Sequence, residues 1–588
     1  MVPPIGLRNA GVPGGGDFMR ALWPSLSFLL ASCASVPPPA PAPSQTAQQF
    51  DLIVRGGTIV DGSGDQPFTG DVGISGDRIV AVAPHLGGMA SRTIDATGLA
   101  VAPGFVNMLS WANDSLVEDG ASESDIRQGV TLEVMGEGDS EGPYNDKMIA
   151  NAEAQQVDIK YPISWRSLRG YWDFLEKKGI APNVASFVGA SQVRTFVLGE
   201  DDVDPTPTQL AEMQNLVRVA MNEGAMGVGS SLIYAPATFA ETPELIALAT
   251  ASAQCGGMYI SHMRNESDHV LDATDELIAI ARASGGPAEI YHMKQAGTGN
   301  WDKQKPMIDR IEAARAQGIR ITADMYTYTA GATGLDAAMP PWVRAGGYDQ
   351  WRKRLLDPVM RKKVIAEMKL RPVGWDSLYF QAGGPDKVLF LQFKNPALKK
   401  YTGMTLAQVA KARGTSPEDT AIDLVIEDGT RVGTAYFLMS EENVARQTAL
   451  PWMSFGSDAG SQAPRGKFLL SSVHPRTYGN FSRLLGKYVR DEKKLSLAEA
   501  VRKLSYQPAS NLGIKDRGMI RAGMHADLAI FDAAKIADTA TFDKPQQFAV
   551  GMRDVLVNGQ PVLLDGQMTL ARPGRAVTGP GTGRCPPK

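Results

Sequence analysis

The sequence predicts an α/β protein: a (β/α)8 barrel, a small β-sandwich built from both chain ends, and an inserted subdomain. Three observations carry that expectation. From Phe50 the chain runs through short alternating strands broken by Gly and Asp turns, "FDLIVRGGTIVDGSG", "DVGISGDRIVAVAP" and "RTIDATGLAVAPG", the pattern of a small antiparallel unit. A matching set, "GMHADLAIFDAA" and "VGMRDVLVNGQPVLLDGQMTL", lies near the other end. Residues 50–103 and 511–572 are therefore expected to form one composite sandwich. Between them, apolar strand-like runs alternate with amphipathic helices. That is the order of a barrel whose reactive groups collect at the C-terminal ends of its strands.

Taken in chain order, residues 1–33 read as a lipoprotein-type signal peptide. Met19-Arg20 precede the apolar run "ALWPSLSFLLASC", which closes on Leu30-Ala31-Ser32-Cys33, and Met19 is a candidate start. The apolar run is shorter than the roughly 20 residues a spanning helix needs. A Pro/Ala-rich linker, residues 34–49, follows. The expected location is the bacterial cell envelope, as a periplasm-facing lipoprotein anchored through a lipid on Cys33. The competing reading is a chance apolar stretch ahead of a cytosolic enzyme.

The barrel is expected over residues 104–510, with strand ends near Trp111, Glu137, Ala190, Ser230, His262, His292, Asp324 and Asp458. "TQLAEMQNLVRVAMNEG" and "ETPELIALATASAQ" carry apolar residues at helical spacing. The interval from Asp324 to Asp458 is too long for one connection, so about residues 336–440 are assigned to the inserted subdomain. Residues 573–588 are expected to be a flexible tail. A length of 588 residues suits two or three structural units, and 43% hydrophobic with 21% charged residues is ordinary for a globular protein. A net charge of −4 without basic tracts argues against a nucleic-acid partner. Besides Cys33 only Cys255 and Cys585 are present, too few for a disulfide framework.

Chemistry has to come from few residues. Of the six histidines, His262 in "GMYISHMRNES" and His292 in "AEIYHMKQAG" each end an apolar strand, so both point into one barrel mouth. Two strand-end imidazoles read as metal ligands, and a catalytic zinc needs three protein ligands and an open position. Glu137 in "LEVMGEGDSEGP" is the expected third, with Asp139 second; the plainer alternative is a carboxylate bonding a Gly-rich turn. Asp458 ends the last barrel strand in "WMSFGSDAGS". Burial of a carboxylate there calls for a partner, and beside a metal it can act as general base; the alternative is a helix N-cap. His269 reads as a surface residue, and His85 and His525 carry no assigned chemistry. His474, in "SSVHPRTYGNFSR", stands evenly between a binding and a structural role.

At these residues the chain resembles the amidohydrolase superfamily, and within it the N-acyl-D-amino-acid deacylase (D-aminoacylase) family. The resemblance runs from about Phe50 to about Ala571 on "DLIVRGGTIVDGSG", "APGFVN", "IRQGVTLEVMGE", "EGAMGVGSSLIY", "YISHMRNE", "YHMKQAG", "DMYTYTAGATGL", "FGSDAG", "HPRTYGNFSRLLG" and "MHADLAIFD". It implies hydrolysis of N-acyl-D-amino acids by attack of a zinc-activated water with Asp458 as general base. It also implies His262 and His292 as ligands of the tightly held zinc. Lys294, Tyr328 and either Arg446 or Arg476 would bind the substrate, with His474 as a further candidate; a bidentate guanidinium suits the substrate carboxylate.

The departures are as informative. The His-x-His of such enzymes is replaced by Leu109-Ser110-Trp111, their cysteine ligand is missing from "GEGD", and Gly189-Ala190 stands where a "GH" is usual. The expected cofactor is thus one zinc per chain, with Trp111 an apolar wall where a second metal would sit. Two alternatives remain: the same site acting on a dipeptide, cyclic amide or lactone, or a catalytically inactive lipid-anchored binding protein.

Overall fold

The computed structural model describes residues 49–585. The signal segment, Cys33 and all but the last residue of the linker lie outside the described residues. Eight parallel strands form the barrel: β1 (Phe105–Asn107), β2 (Val130–Met135), β3 (Asn183–Ser186, resuming at Val188–Gly189), β4 (Gly227–Ser231), β5 (Met258–His262), β6 (Ala288–Ile290), β7 (Ile321–Met325) and β8 (Met453–Phe455). Each pairs with the next in chain order. The ring closes where the Met108 N–H donates to the Phe455 carbonyl at 3.1 Å and the Asp458 N–H to the Leu109 carbonyl at 2.8 Å. Every expected strand end falls within a few residues of an observed one.

The interior is packed by Val106, Met108, Leu109, Leu132, Val134, Ala185, Phe187, Met226, Met258, Ile260 and Tyr291, so the barrel is a core and not a pore. Helices cover its outside for local reasons. Pro207–Glu223 starts with a capping box, Thr206 with Gln209, and Pro207 at its first turn. Its buried stripe, Met213, Val217, Ala220 and Met221, lies at helical spacing.

The two chain ends build one hydrogen-bonded nine-stranded sheet. Ala100–Pro103 pairs antiparallel with Leu528–Phe531, and Leu52, Val54, Val72 and Ile79 share a core with Leu528, Ile530 and Leu556. Between β7 and β8 the insert contributes a three-stranded antiparallel sheet, Ala330–Gly334, Val388–Gln392 and Gly433–Phe437, with helices packed on it.

One expectation is corrected at the barrel's lower face. Residues 573–585 are not a flexible tail; they form a strap across the N-terminal ends of the strands. The Val577 N–H donates to the Val184 carbonyl at 2.8 Å and the Gly579 N–H to the Gly224 carbonyl at 2.8 Å. A Cβ on Gly574 would stand 2.0 Å from the Pro182 carbonyl, so only glycine lets the strap lie this close. Cys255 and Cys585 form a disulfide with Cα atoms 5.3 Å apart. Two cysteines are no framework, yet one pair suffices to fix a strap whose own apolar burial is small.

Candidate active site

The mouth of the barrel is set by backbone before side chains. β2 ends at Met135, and Gly136 and Gly138 take left-handed φ values of 101° and 77°, turning the intervening Glu137 inward. His292 and Asp458 follow β6 and β8 with φ of 33° and 50°. Non-glycine residues held there store about 1–3 kcal/mol each and concentrate at functional sites. Both are pinned: the His292 N–H donates to Asp324 Oδ1 at 2.9 Å, and the Asp458 N–H to Leu109.

The structure brings Glu137, His262 and His292 together. Glu137 Oε1 lies 3.1 Å from His262 Nδ1 and 2.9 Å from His292 Nε2, and all three are buried. Among the described residues they form the group whose ligand atoms all lie within 4.8 Å of one another. Asp139 is not part of it; its carboxyl answers instead to the charges of Arg431 and Arg344, beneath a larger effect of burial. Burial and Lys294 both press the His292 imidazole toward neutrality, yet the carboxylates of Glu266 and Glu137 outweigh them and push it up to about 10. Despite burial, the imidazoles hold Glu137 well below the usual carboxylate range. A pocket that stabilises positive charge between a carboxylate and two imidazole nitrogens fits a divalent metal, and the donor set suits zinc.

Glu266 escaped the sequence reading. Its Oε1 lies 3.1 Å from His292 Nδ1 and accepts from Lys294 Nζ at 2.7 Å, while Oε2 stands 3.6 Å from His262 Nε2. A carboxylate behind a ligating imidazole fixes its tautomer and raises its basicity. The available signal was position: Glu266 follows His262 by one helical turn's spacing in "SHMRNE", though the segment is a loop. The insert steadies that loop, for the Glu266 N–H donates to Asp376 Oδ2 at 2.8 Å and Ser267 Oγ to Oδ1 at 2.6 Å.

Opposite the triad, Asp458 Oδ2 forms an ion pair with Arg476 Nη1 at 2.9 Å. Burial raises the Asp458 carboxyl above its ordinary range, against the lowering pull of Arg476. Lys294 Nζ lies 2.6 Å from His292 Nδ1, beside the triad.

Three assignments change. Tyr328 turns away from the mouth: its hydroxyl bonds Asp538 at 3.1 Å and Arg483 covers its ring. Thr327, bonded to Asn480 by both backbone and side chain, sets this alternation. Tyr326 is the ring that faces the site, with Lys294 Nζ 5.6 Å and the Arg476 guanidinium 4.5 Å from its centre. Arg446 lies outside, on the outer side of the helix Glu441–Thr448, held by Gln304 and Glu442. Arg476 is therefore the guanidinium at the site. His474 shapes its loop: Nε2 donates to the Ala330 carbonyl at 2.9 Å and Nδ1 accepts the Arg476 N–H at 3.0 Å. Burial, with Arg476 next in effect, keeps that imidazole neutral.

The model of the amidohydrolase family matches residues 448–563. D-aminoacylase of Alcaligenes xylosoxydans xylosoxydans is 32% identical over 534 residues, which cover 90% of this chain and 98% of that protein. The chain belongs to the D-aminoacylase family of amidohydrolases. As a member of the family it is an amide hydrolase. A crystal structure of N-acyl-D-glutamate deacylase from Bordetella bronchiseptica, complexed with zinc and a phosphonate mimic of the tetrahedral intermediate, superposes with a TM-score of 0.75. It is 28% identical and is covered in full by 90% of this chain. A D-aminoacylase studied for the role of its binuclear centre, with activation by one metal and attenuation by a second, gives 0.74 at 30% identity, over 90% of this chain and all of that one.

Proposed function

We propose that the protein hydrolyses the amide bond of N-acyl-D-amino acids with a single zinc ion held by Glu137, His262 and His292. The observation that carries this reading is the convergence of those three buried donors opposite a carboxylate with a raised pKa. Zinc in this donor set supplies a Lewis acid for the scissile carbonyl and acidifies water. The remaining work falls to the chain. Asp458 takes a proton from the attacking water and returns it to the leaving nitrogen. Arg476 fixes the Asp458 carboxylate and, with Lys294 also near the Tyr326 ring, makes a positive rim suited to the substrate carboxylate. Glu266 orients the His292 imidazole. The names of the relatives support the substrate class, and the one-metal activation described for a D-aminoacylase supports the metal count. The envelope location is proposed as well: a disulfide between Cys255 and Cys585 suits an oxidising compartment.

The test is elemental analysis of purified protein followed by a panel of N-acyl-D-amino acids, N-acyl-L-amino acids, dipeptides, cyclic amides and lactones. About one zinc per chain and turnover of N-acyl-D substrates are expected. Preferential turnover of another class reassigns the substrate. Metal-free protein with no turnover leaves the binding-protein alternative standing.

A further inference from the structure

Leu109-Ser110-Trp111 occupies the place where the family resemblance leads one to expect metal-binding histidines. Leu109 is fully buried in the barrel core, and its carbonyl holds the Asp458 N–H. Ser110 Oγ donates to Glu133 Oε2 at 2.7 Å, and the Trp111 N–H donates to the Ala459 carbonyl at 3.0 Å. The tripeptide is thus tied to both β2 and the loop after β8, and Trp111 is aimed by its backbone. Its indole is not an apolar wall. Nε1–H donates to Glu137 Oε2 at 3.0 Å and to Asp458 Oδ1 at 3.1 Å, one donor shared by two acceptors. Trp111 as a whole remains 40% exposed, so its place is in the mouth and not in the core.

Glu137 therefore uses its two oxygens differently: Oε1 faces the imidazoles, and Oε2 faces the indole. Glu137 Oε2 and Asp458 Oδ1 converge on this one donor, an arrangement of two carboxylates that would otherwise attract a second cation. We propose that the Trp111 indole N–H stands in for that second cation, as a positioning residue that links the metal ligand Glu137 to the general base Asp458 and leaves the centre mononuclear by construction. The N–H carries a fixed partial positive charge, never titrates near neutral pH and offers no lone pair to a metal. It holds the two carboxylates in register without binding an ion, and neither Leu109 nor Trp111 supplies a metal donor. The proposal rests on the one-zinc amidohydrolase reading.

The experiment compares wild type, Trp111→Phe and Trp111→His. Each is stripped with a chelator, then titrated with Zn2+ and with Co2+, the bound metal being counted and the Co2+ absorption recorded. The parameters kcat and KM are measured at one equivalent of metal and in excess. Wild type is expected to bind one metal per chain and to be indifferent to excess. Trp111→Phe keeps the ring but loses the donor, so it should still bind one metal while kcat falls about tenfold or more, the worth of a hydrogen bond to a charged group, with KM changed far less. Trp111→His supplies an imidazole beside two carboxylates and should bind a second Co2+ with a distinct spectrum. Two metals per wild-type chain, or an unchanged kcat in Trp111→Phe, overturn the proposal alone. A wild type that binds no metal overturns it together with the reading it rests on.

Discussion

The ion pair between Arg476 and Asp458 offers the sharpest test of how the site is tuned. Its partners are 2.9 Å apart with side chains 3% and 12% exposed. At an effective dielectric of about 20 their attraction is about 6 kcal/mol, of which much is spent on desolvating both groups. Replacing Arg476 by Met keeps the volume and removes the charge. Burial, the larger influence on Asp458, then acts with its main opponent gone, so the carboxyl is expected to titrate higher. The sign follows from the role. A general base works deprotonated, so activity falls as pH drops through its pKa, and a raised pKa moves that fall upward. In Arg476→Met the acid limb of kcat should lie about one pH unit or more above that of wild type, with Arg476→Lys between the two. Because Arg476 also faces the proposed substrate carboxylate, kcat at saturating substrate is the quantity to follow. An acid limb that stays in place while kcat survives would refute the reasoning.

Two further outcomes are expected. Asp458→Asn should lower kcat by about 10²–10⁴ while leaving the zinc content unchanged, since Asp458 is not one of the three donors; a loss of less than tenfold would remove it as the base. Cys585→Ser, or treatment with a reductant, should cost about 2–5 kcal/mol, lower Tm by a few degrees and speed amide exchange at Val577 and Gly579. Equal Tm with and without reductant would mean that the disulfide contributes nothing.

Much of the barrel was legible because its signal is local. Apolar runs marked all eight strand ends to within a few residues, and the strand-end histidines pointed to a common mouth. What remained hidden depends on relations across the chain. Tyr326 and Tyr328 have the same local pattern, and only the anchoring of Thr327 to Asn480, far along the chain, decides which ring enters the site. Arg446 and Arg476 differ in which side of a helix they occupy, which no nearby motif reveals. Glu266 was missed because its partners are imidazoles rather than substrate, and the polar use of Trp111 because an indole reads first as apolar surface.

The strand Ala100–Pro103 lies between Gln49–Ile59 on one side and Leu528–Phe531 on the other, and the barrel floor is finished by Val577 and Gly579. Strands near residue 100 are therefore completed only by segments more than 400 residues further along. Without them, one edge of the first strands and the underside of the barrel stay open. A chain cut before Leu528 would lose more than its own end: it would leave Ala100–Pro103 with one edge unpaired.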